Sequence, residues 1–204
     1  MANYSGRETS LEDFLNKISS GLALVLCVGE PIENRDEAKL LADLAAGLPA
    51  AFARLYGQFG ARLYRTALAI LGRREDAEDA VQEVFMAVVR SRARLADVRD
   101  LSAYLFVSLR RAAARHRERR AGAPVSSAQV DEAVAAQGAA EDPRSDALRR
   151  ALGSLTPEQR EVIALKIHGE LTFAEIARVL ETNANTVASR YRYAIERLRS
   201  RLQE

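Results

Sequence analysis

The chain has 204 residues, enough for one medium-sized domain or two small ones. Apolar residues make up 48% of it and charged residues 28%, which excludes wholesale disorder and a fibrous repeat. The formal net charge of +2 conceals a segregation, because residues 43–120 carry 15 basic and 9 acidic side chains, residues 147–204 carry 10 and 7, and residues 121–146 between them carry 1 and 5. We therefore expect two basic domains joined by an acidic connector.

Hydropathy and the cysteine and histidine content limit the class of protein further. The longest unbroken apolar run, Leu22 to Val28, is far shorter than the roughly 20 residues that cross a bilayer, and no basic stretch precedes it. The single Cys27 cannot form an internal disulfide, and only two histidines accompany it, which leaves no His/Cys cluster for zinc. We predict a soluble cytoplasmic protein with no membrane insertion, no metal and no other cofactor.

Arginine supplies nearly all of the positive charge. Of the 30 basic residues, only Lys17, Lys39 and Lys166 are lysines. The planar guanidinium group is suited to phosphates and to the edges of bases. Nucleic acid is therefore the leading candidate partner.

Residues 1–45 form an N-terminal extension to which the pattern assigns no role. Leu11, Phe14, Leu15 and Ile18 have the spacing of a short amphipathic helix. The segment fits a regulatory extension, a misassigned start or a piece that packs on the following domain.

Residues 46–120 have the pattern of a small helical domain. Apolar residues recur at steps of three and four over residues 48–70 and predict one long helix that stops at Gly72. A second apolar stripe over residues 77–88 predicts another helix.

The second predicted helix has an acidic outer face. The side opposite its apolar stripe carries Glu78, Asp79, Gln82 and Glu83. Such a face would repel DNA, although it lies between segments that would attract it. It is either an ordinary solvated surface or a docking site for a basic protein partner.

The third predicted helix carries most of this domain's positive charge. Residues 91–100 lose the helical periodicity and predict a loop, after which the helix starts at Leu101. Its arginines are Arg110, Arg111, Arg115, Arg117, Arg119 and Arg120. With Tyr104 and Phe106 just upstream, the mixture fits a surface that holds unstacked single strands, although helical spacing would bury at least one of the two rings. The alternative is a solvated helix end whose cations meet the negative end of the helix dipole.

Residues 121–145 predict an acidic flexible linker. They are rich in alanine, glycine, serine and proline with acidic residues between, so little of the segment can be buried.

Residues 146–204 predict a helix-turn-helix domain. Thr156 and Thr172 are each followed three residues later by Gln or Glu, as in the capping boxes that begin helices. Residues 181–183 predict a tight turn before a last helix from about Ala184 to Leu202. The residues predicted to face inward on that helix are Val187, Tyr191, Ala194, Ile195 and Leu198.

In a helix-turn-helix, the N-terminal part of the second helix enters the major groove of DNA. The candidate DNA-contacting residues are Asn185, Thr186, Ala188, Ser189, Arg190, Arg192 and Arg197. The alternative is an ordinary helical hairpin with a solvated basic face.

Motifs in both helical domains resemble those of bacterial RNA polymerase sigma factors of the extracytoplasmic-function (ECF) group. Residues 76–85, Asp-Ala-Glu-Asp-Ala-Val-Gln-Glu-Val-Phe, are similar to the polymerase-binding helix of sigma region 2. Residues 155–162, 173–177 and 185–191 are similar to parts of sigma region 4. The resemblance covers about residues 46–120 and 146–202.

The resemblance implies an all-α transcription initiation factor with two small domains and no catalytic residues. Region 2 would grip the clamp helices of core RNA polymerase through Asp79, Gln82 and Glu83. Its aromatic and basic third helix would hold the melted non-template strand at the minus-ten element. Region 4 would read the duplex minus-thirty-five element through residues 185–197 and touch the polymerase flap. An anti-sigma factor is a further candidate partner.

Four residues depart from the family pattern. Arg111 and Arg115 stand where many members have Asn and Asp, which bears on the minus-ten contacts. Ala188 replaces a common basic residue of the recognition helix, and Glu181 occupies a turn position where glycine is usual.

Three other functions are weighed against a sigma factor. A stand-alone helix-turn-helix regulator would bind duplex DNA without polymerase, but the acidic helix and the two-domain layout disfavour it. An enzyme is disfavoured because the sequence has no recognisable nucleophile–base pair, phosphate loop or metal set. A helical adaptor would differ from the others by failing to bind nucleic acid.

Overall fold

The computed structural model describes residues 34–120 and 150–203, and all regular secondary structure in these ranges is helical. The elements are α1 (Asn34–Ala45), α2 (Pro49–Leu71), α3 (Arg74–Arg90), a 3₁₀ helix (Arg92–Asp97), α4 (Leu101–Arg120), α5 (Pro157–Ile167), α6 (Phe173–Val179) and α7 (Ala184–Gln203). The predicted all-α class is confirmed. The predictions for the helix at 11–18 and for the linker at 121–145 fall outside the described residues.

Contacts divide the described residues into two compact units, of which the first consists of residues 34–61 and 85–101. In this unit α1 packs on the 3₁₀ helix, and Leu40, Leu44 and Leu95 are completely buried. The prediction of a loop at 91–100 is therefore wrong for its central part. Leu95 finds apolar cover under α1, which the periodicity within the segment does not reveal.

The turn after α1 requires glycine. Gly47 has a φ of 78°, and its amide donates to the Leu44 carbonyl while the Leu48 amide donates to the Asp43 carbonyl, which is a Schellman motif. A Cβ on Gly47 would lie 2.9 Å from Nη1 of Arg92, so a side chain there would displace the arginine that begins the 3₁₀ helix. Residues 34–45 of the predicted extension thus pack on the domain that follows.

The predicted first long helix is present as α2, which is continuous from Pro49 to Leu71. Phe52, Leu55 and Leu63 on its apolar stripe are completely buried. Gly72 ends the helix as predicted, with a φ of 74° and its amide bonded to the Leu68 carbonyl at 2.8 Å.

The second unit consists of residues 62–84, 102–120 and 150–203, and it contains both predicted capping boxes. The Gln159 amide donates to the Thr156 hydroxyl oxygen at 3.3 Å, and the Thr156 amide donates to Gln159 Oε1 at 3.1 Å. Thr172 and Glu175 repeat the arrangement at the start of α6. Each capping side chain contributes about 1 kcal/mol to the stability of its helix. Helices α5 and α6 therefore begin where the sequence predicts.

Helices α5, α6 and α7 pack against one another around a small apolar core. Val162, Ile176, Val187 and Ala194 are completely buried. Partly buried residues that cover the core include Leu152, Tyr191, Ile195 and Leu198. The predicted inward face of the last helix is therefore confirmed.

Within residues 34–120 and 150–203, no helix is long and apolar enough to cross a membrane. The same part of the chain contains no group of three His, Cys, Asp or Glu residues arranged to hold a metal ion.

The turn between α6 and α7 places a non-glycine residue in the left-handed region. Glu181 has a φ of 53°, the Thr182 amide donates to the Ala177 carbonyl at 2.9 Å, and the Glu181 amide donates to the Arg178 carbonyl at 3.3 Å. These bonds form a Schellman motif in which Glu181 takes the position that usually carries glycine. This conformation is less stable by roughly 1–2 kcal/mol for a residue that has a Cβ.

We expect Glu181→Gly to raise the free energy of unfolding by about 1 kcal/mol, because the relief of strain exceeds the extra backbone entropy that glycine loses on folding. Urea denaturation of the full chain measures the change. Glu181→Ala is the control, since it removes the charge but keeps the Cβ and should give little gain. Equal stabilisation by both variants would attribute the effect to the charge instead.

Candidate polymerase and nucleic-acid interfaces

Glu83 was predicted to point outward from α3, but it faces α4. Arg115 Nη2 donates to Glu83 Oε2 at 2.6 Å, and Arg119 Nη2 donates to Oε1 at 3.4 Å. His116 Nε2 lies 3.1 Å from the same Oε1. Partial burial acts to raise the pKa of Glu83, but hydrogen bonds from Arg115 and His116 outweigh it and hold the pKa below its ordinary value. The Glu83 side chain stays 34% exposed, but its carboxylate is paired with α4, which the sequence of α3 alone does not show.

Asp76 is the second carboxylate of α3 that faces α4. Arg120 Nη1 donates to Asp76 Oδ2 at 2.8 Å, and His116 Nδ1 lies 3.8 Å from Oδ1. His116 is buried between the two carboxylates. We call the set of Asp76, Glu83, Arg115, His116, Arg119 and Arg120 the α3–α4 charge cluster.

Sequence reasoning missed Asp76 and His116 as members of this cluster. The available signal was the seven-residue spacing of Asp76 and Glu83, which puts both carboxylates on one face of α3. Of the other predicted docking residues, Asp79 is exposed and Gln82 is partly buried. The acidic face of α3 is therefore divided between an internal edge and a solvent edge.

The two aromatic residues of α4 have different environments. Phe106 is completely buried, and the guanidinium carbon of Arg62 lies 5.7 Å from the centroid of its ring. Tyr104 is partly exposed, and its carbonyl accepts a hydrogen bond from the Ser108 hydroxyl at 2.8 Å. The assignment of Phe106 to strand stacking is corrected, because its ring belongs to the core and only Tyr104 retains an accessible surface.

The remaining arginines of α4 are in two situations. Arg111 and Arg117 are exposed. Arg110 Nε lies 3.4 Å from Glu161 Oε1 of α5, in the same compact unit. Burial raises the pKa of Glu161 although the charges of Arg110 and Arg117 oppose the shift. Glu161 was not singled out from the sequence, because nothing within α5 shows which residues of α4 lie beside it.

Arg62 of α2 is a further cation that sequence reasoning missed. Its guanidinium donates to the Gly169 carbonyl, and its Nε lies 3.6 Å from a carboxylate oxygen of Glu170. Together with the stacking on Phe106, these contacts tie α2 to the turn between α5 and α6 within the second unit.

The N-terminus of α7 is capped and its first turns present polar side chains. The Thr186 amide donates to Asn183 Oδ1 at 2.8 Å, so Asn183 caps the helix. Val187 is completely buried and holds the helix to the domain. Asn185 is exposed, whereas the predicted contact residues Thr186, Ala188, Ser189 and Arg190 are partly buried.

Two predicted arginines lie farther along α7. Arg192 is exposed, and its guanidinium carbon lies 5.3 Å from the centroid of the Tyr193 ring. Arg197 is exposed and lies about 18 Å along the axis from Asn185 at the helical rise. The polar surface therefore extends beyond the first turns that would enter a groove.

We expect Glu83→Gln to lower the free energy of unfolding by about 1 kcal/mol at pH 7. The pKa of Glu83 in the folded chain lies below the unfolded value of about 4.3, so its ionised form stabilises the fold above that pH. This contribution is lost as the pH falls through the folded-state value, and the two chains should converge in acid.

Chemical denaturation across the acid and neutral range measures this difference. Glu78→Gln is the control, because Glu78 forms an exposed pair with Arg74 on the same helix at 3.1 Å and should contribute less. The same loss and the same pH dependence in both variants would contradict the special role of Glu83.

Both helical domains match models of known protein families. The family model of Sigma-70 region 2 matches residues 55–122, and that of Sigma-70, region 4 matches residues 145–198. The chain is similar to the ECF RNA polymerase sigma factor SigK of Mycobacterium ulcerans (strain Agy99), with 33% identity over 181 residues that cover 84% of this chain and 96% of the relative. It is also similar to the ECF RNA polymerase sigma factor BldN of Streptomyces coelicolor, with 29% identity over 77% of this chain and 63% of the relative.

Solved structures show the same fold. CnrH in complex with the cytosolic domain of CnrY has a TM-score of 0.60 and 27% identity, and the match covers 82% of this chain and 97% of that chain. The sigma factor RpoE in complex with the anti-sigma factor NepR from Bartonella quintana has a TM-score of 0.51 and 23% identity, over 83% and 95% of the two chains. The matched regions, their order and the close relatives together show that the chain belongs to the ECF RNA polymerase sigma factors, which direct core RNA polymerase in transcription initiation.

Proposed function

We propose that this sigma factor divides promoter recognition among three of its surfaces. The solvent edge of α3 docks on core polymerase, residues 91–100 and α4 capture the minus-ten strand, and α7 reads the minus-thirty-five duplex. The observation that carries the proposal is the capped N-terminus of α7, where Asn183 ends the turn, Val187 anchors the helix and Asn185 faces solvent. This is the geometry in which a recognition helix enters the major groove.

The proposed polymerase contact centres on Asp79 and Gln82. Asp79 is exposed on α3, and an exposed carboxylate complements a basic partner surface. Glu83 takes an indirect part, since its carboxylate orients Arg115 and Arg119 on α4.

The proposed minus-ten surface combines Tyr104 with the arginines of α4. Arg111 and Arg117 are exposed and suited to phosphates, despite the departure of Arg111 from the family pattern. Arg115 and Arg119 are paired with Glu83, but more than half of each side chain is exposed. Because such surface pairs contribute little energy, phosphates can compete with the carboxylate for these arginines.

A stand-alone regulator is not favoured, because binding to duplex DNA without polymerase does not require a Sigma-70 region 2 domain. We place the action of the protein in the cytoplasm, together with the polymerase that performs the chemistry. An anti-sigma protein is a proposed partner, since the similarly folded RpoE is described in complex with the anti-sigma factor NepR, and the similar CnrH in complex with the cytosolic domain of CnrY.

We expect Asp79→Lys to weaken binding to core RNA polymerase about tenfold, because it replaces charge attraction by repulsion at the docking edge. Fluorescence titration of labelled sigma chain with core enzyme measures the affinity. Glu118→Lys, at an exposed acid of α4, is the matched control and should bind nearly as the wild type does. Wild-type affinity of the Asp79 variant would remove the docking assignment.

We expect Arg190→Ala to weaken holoenzyme binding to a selected promoter and to lower the salt slope by about 0.9, the contribution of one neutralised phosphate. Asn185→Ala or Ser189→Ala should instead change the minus-thirty-five sequence recovered by selection. Arg199→Ala removes the same charge from an exposed site about two and a half turns beyond Arg190 and serves as the control. If selection recovers the same sequence with all variants, α7 does not read bases in this register.

A further inference from the structure

Helix α1 precedes the part of the chain that the Sigma-70 region 2 model matches, which begins at residue 55. It nevertheless packs on the 3₁₀ helix Arg92–Asp97, in the segment to which we assign promoter melting. Leu95 is the buried residue of that short helix, whereas Arg92, Arg94 and Asp97 are exposed. Leu95 is therefore the buried apolar side chain of the 3₁₀ helix, and it lies in the same unit as the buried Leu40 and Leu44 of α1.

A polar contact from α1 reaches the other end of the same segment. Glu37 Oε1 accepts a hydrogen bond from the amide of Leu101, the first residue of α4, at 2.7 Å. The first amides of a helix have no partner within the helix, and the positive end of the helix dipole favours a carboxylate there. Glu37 thus supplies, from another helix, a cap that the beginning of α4 needs.

These two contacts leave residues 96–100 tethered on both sides. Leu95 is buried before them, and the Leu101 amide is bonded after them. The Val98 amide also donates to the Leu95 carbonyl at 3.1 Å, and Arg99 is exposed. A short segment held at both ends presents its side chains in a narrow range of directions, because few backbone conformations connect two fixed points.

We propose that Glu37 is a positioning residue for promoter opening. By accepting the Leu101 amide, its carboxylate sets the point at which α4 begins and so orients residues 96–100 toward the unpaired promoter strand. Glu37 does not itself contact DNA. Tyr104 lies one turn after Leu101 in the same helix, so the register set at Leu101 also sets the direction of its ring. The proposal rests on the proposed role of residues 91–100 and α4 in melting.

The chain offers variants that separate the hydrogen bond from the charge and from general stability. Glu37→Ala removes the acceptor, whereas Glu37→Gln keeps an Oε1 acceptor of the same reach and removes the charge. Asp36→Ala is the matched control, since Asp36 is the neighbouring acid in the first turn of α1 and makes an exposed pair with Arg54 at 3.6 Å. Tyr104→Leu provides the effect of losing the aromatic face itself.

The test uses full-length chains assembled with saturating core RNA polymerase on a promoter selected by the wild-type holoenzyme. Permanganate reactivity of thymines at the minus-ten element measures the rate of opening, and the affinity for core enzyme is measured in parallel. We expect Glu37→Ala to slow opening about tenfold at unchanged core affinity, near the upper end of the effect of losing an ordinary hydrogen bond. Glu37→Gln should recover most of the rate, and Asp36→Ala should open at the wild-type rate.

Four results would overturn the proposal. They are opening by Glu37→Ala at the wild-type rate, failure of Glu37→Gln to recover any of the lost rate, an equal loss in Asp36→Ala, and a loss of core affinity in proportion to the loss of opening. Each of these leaves the proposed function intact as long as the wild-type holoenzyme melts its promoter. A wild-type holoenzyme that binds promoter without thymine reactivity would instead refute the proposed melting function, and the role of Glu37 with it.

Discussion

Two carboxylates of α3 hold the basic end of α4, and the charged surfaces of this domain are arranged around that attachment. Glu83 binds Arg115 and Arg119, Asp76 binds Arg120, and the buried His116 lies between the two acids. Without the carboxylates, the arginines of α4 would repel one another along one helix end. The pairing lets an arginine-rich helix fold against its neighbour while most of its cations keep a solvent-facing side. Asp79 of the same helix is exposed.

The helix-turn-helix domain depends on local signals more than on long-range charge. Two capping boxes begin α5 and α6, Asn183 caps α7, and Val187 anchors α7 in the core. Glu181 is the exception, because it accepts a strained left-handed conformation in the turn that sets the angle between α6 and α7. The backbone bonds of the turn are made despite that strain, so the turn geometry does not require glycine even though glycine would make it more stable.

In the first unit, residues outside the matched family regions support the segment for which we propose a role in promoter opening. Helix α1 covers Leu95 and caps α4 through Glu37, so it supports both ends of a segment that otherwise has little apolar surface of its own. A recognition segment of this kind needs exposed side chains and a fixed backbone. The contacts of α1 fix the backbone of this segment and leave Arg94 and Arg99 exposed.

Patterns along the chain determined the features that arise within one helix or one turn. The all-α class, the stops at Gly72 and Glu181, the caps at Thr156 and Thr172 and the inward face of α7 all follow from helical periodicity and capping chemistry. Periodicity gives the angular position of a residue on its own helix, but it does not show which neighbour lies beside that face. Only the tertiary structure therefore decided that Glu83 faces Arg115, that Phe106 rather than Tyr104 is buried, and that Glu37 caps a helix 64 residues away.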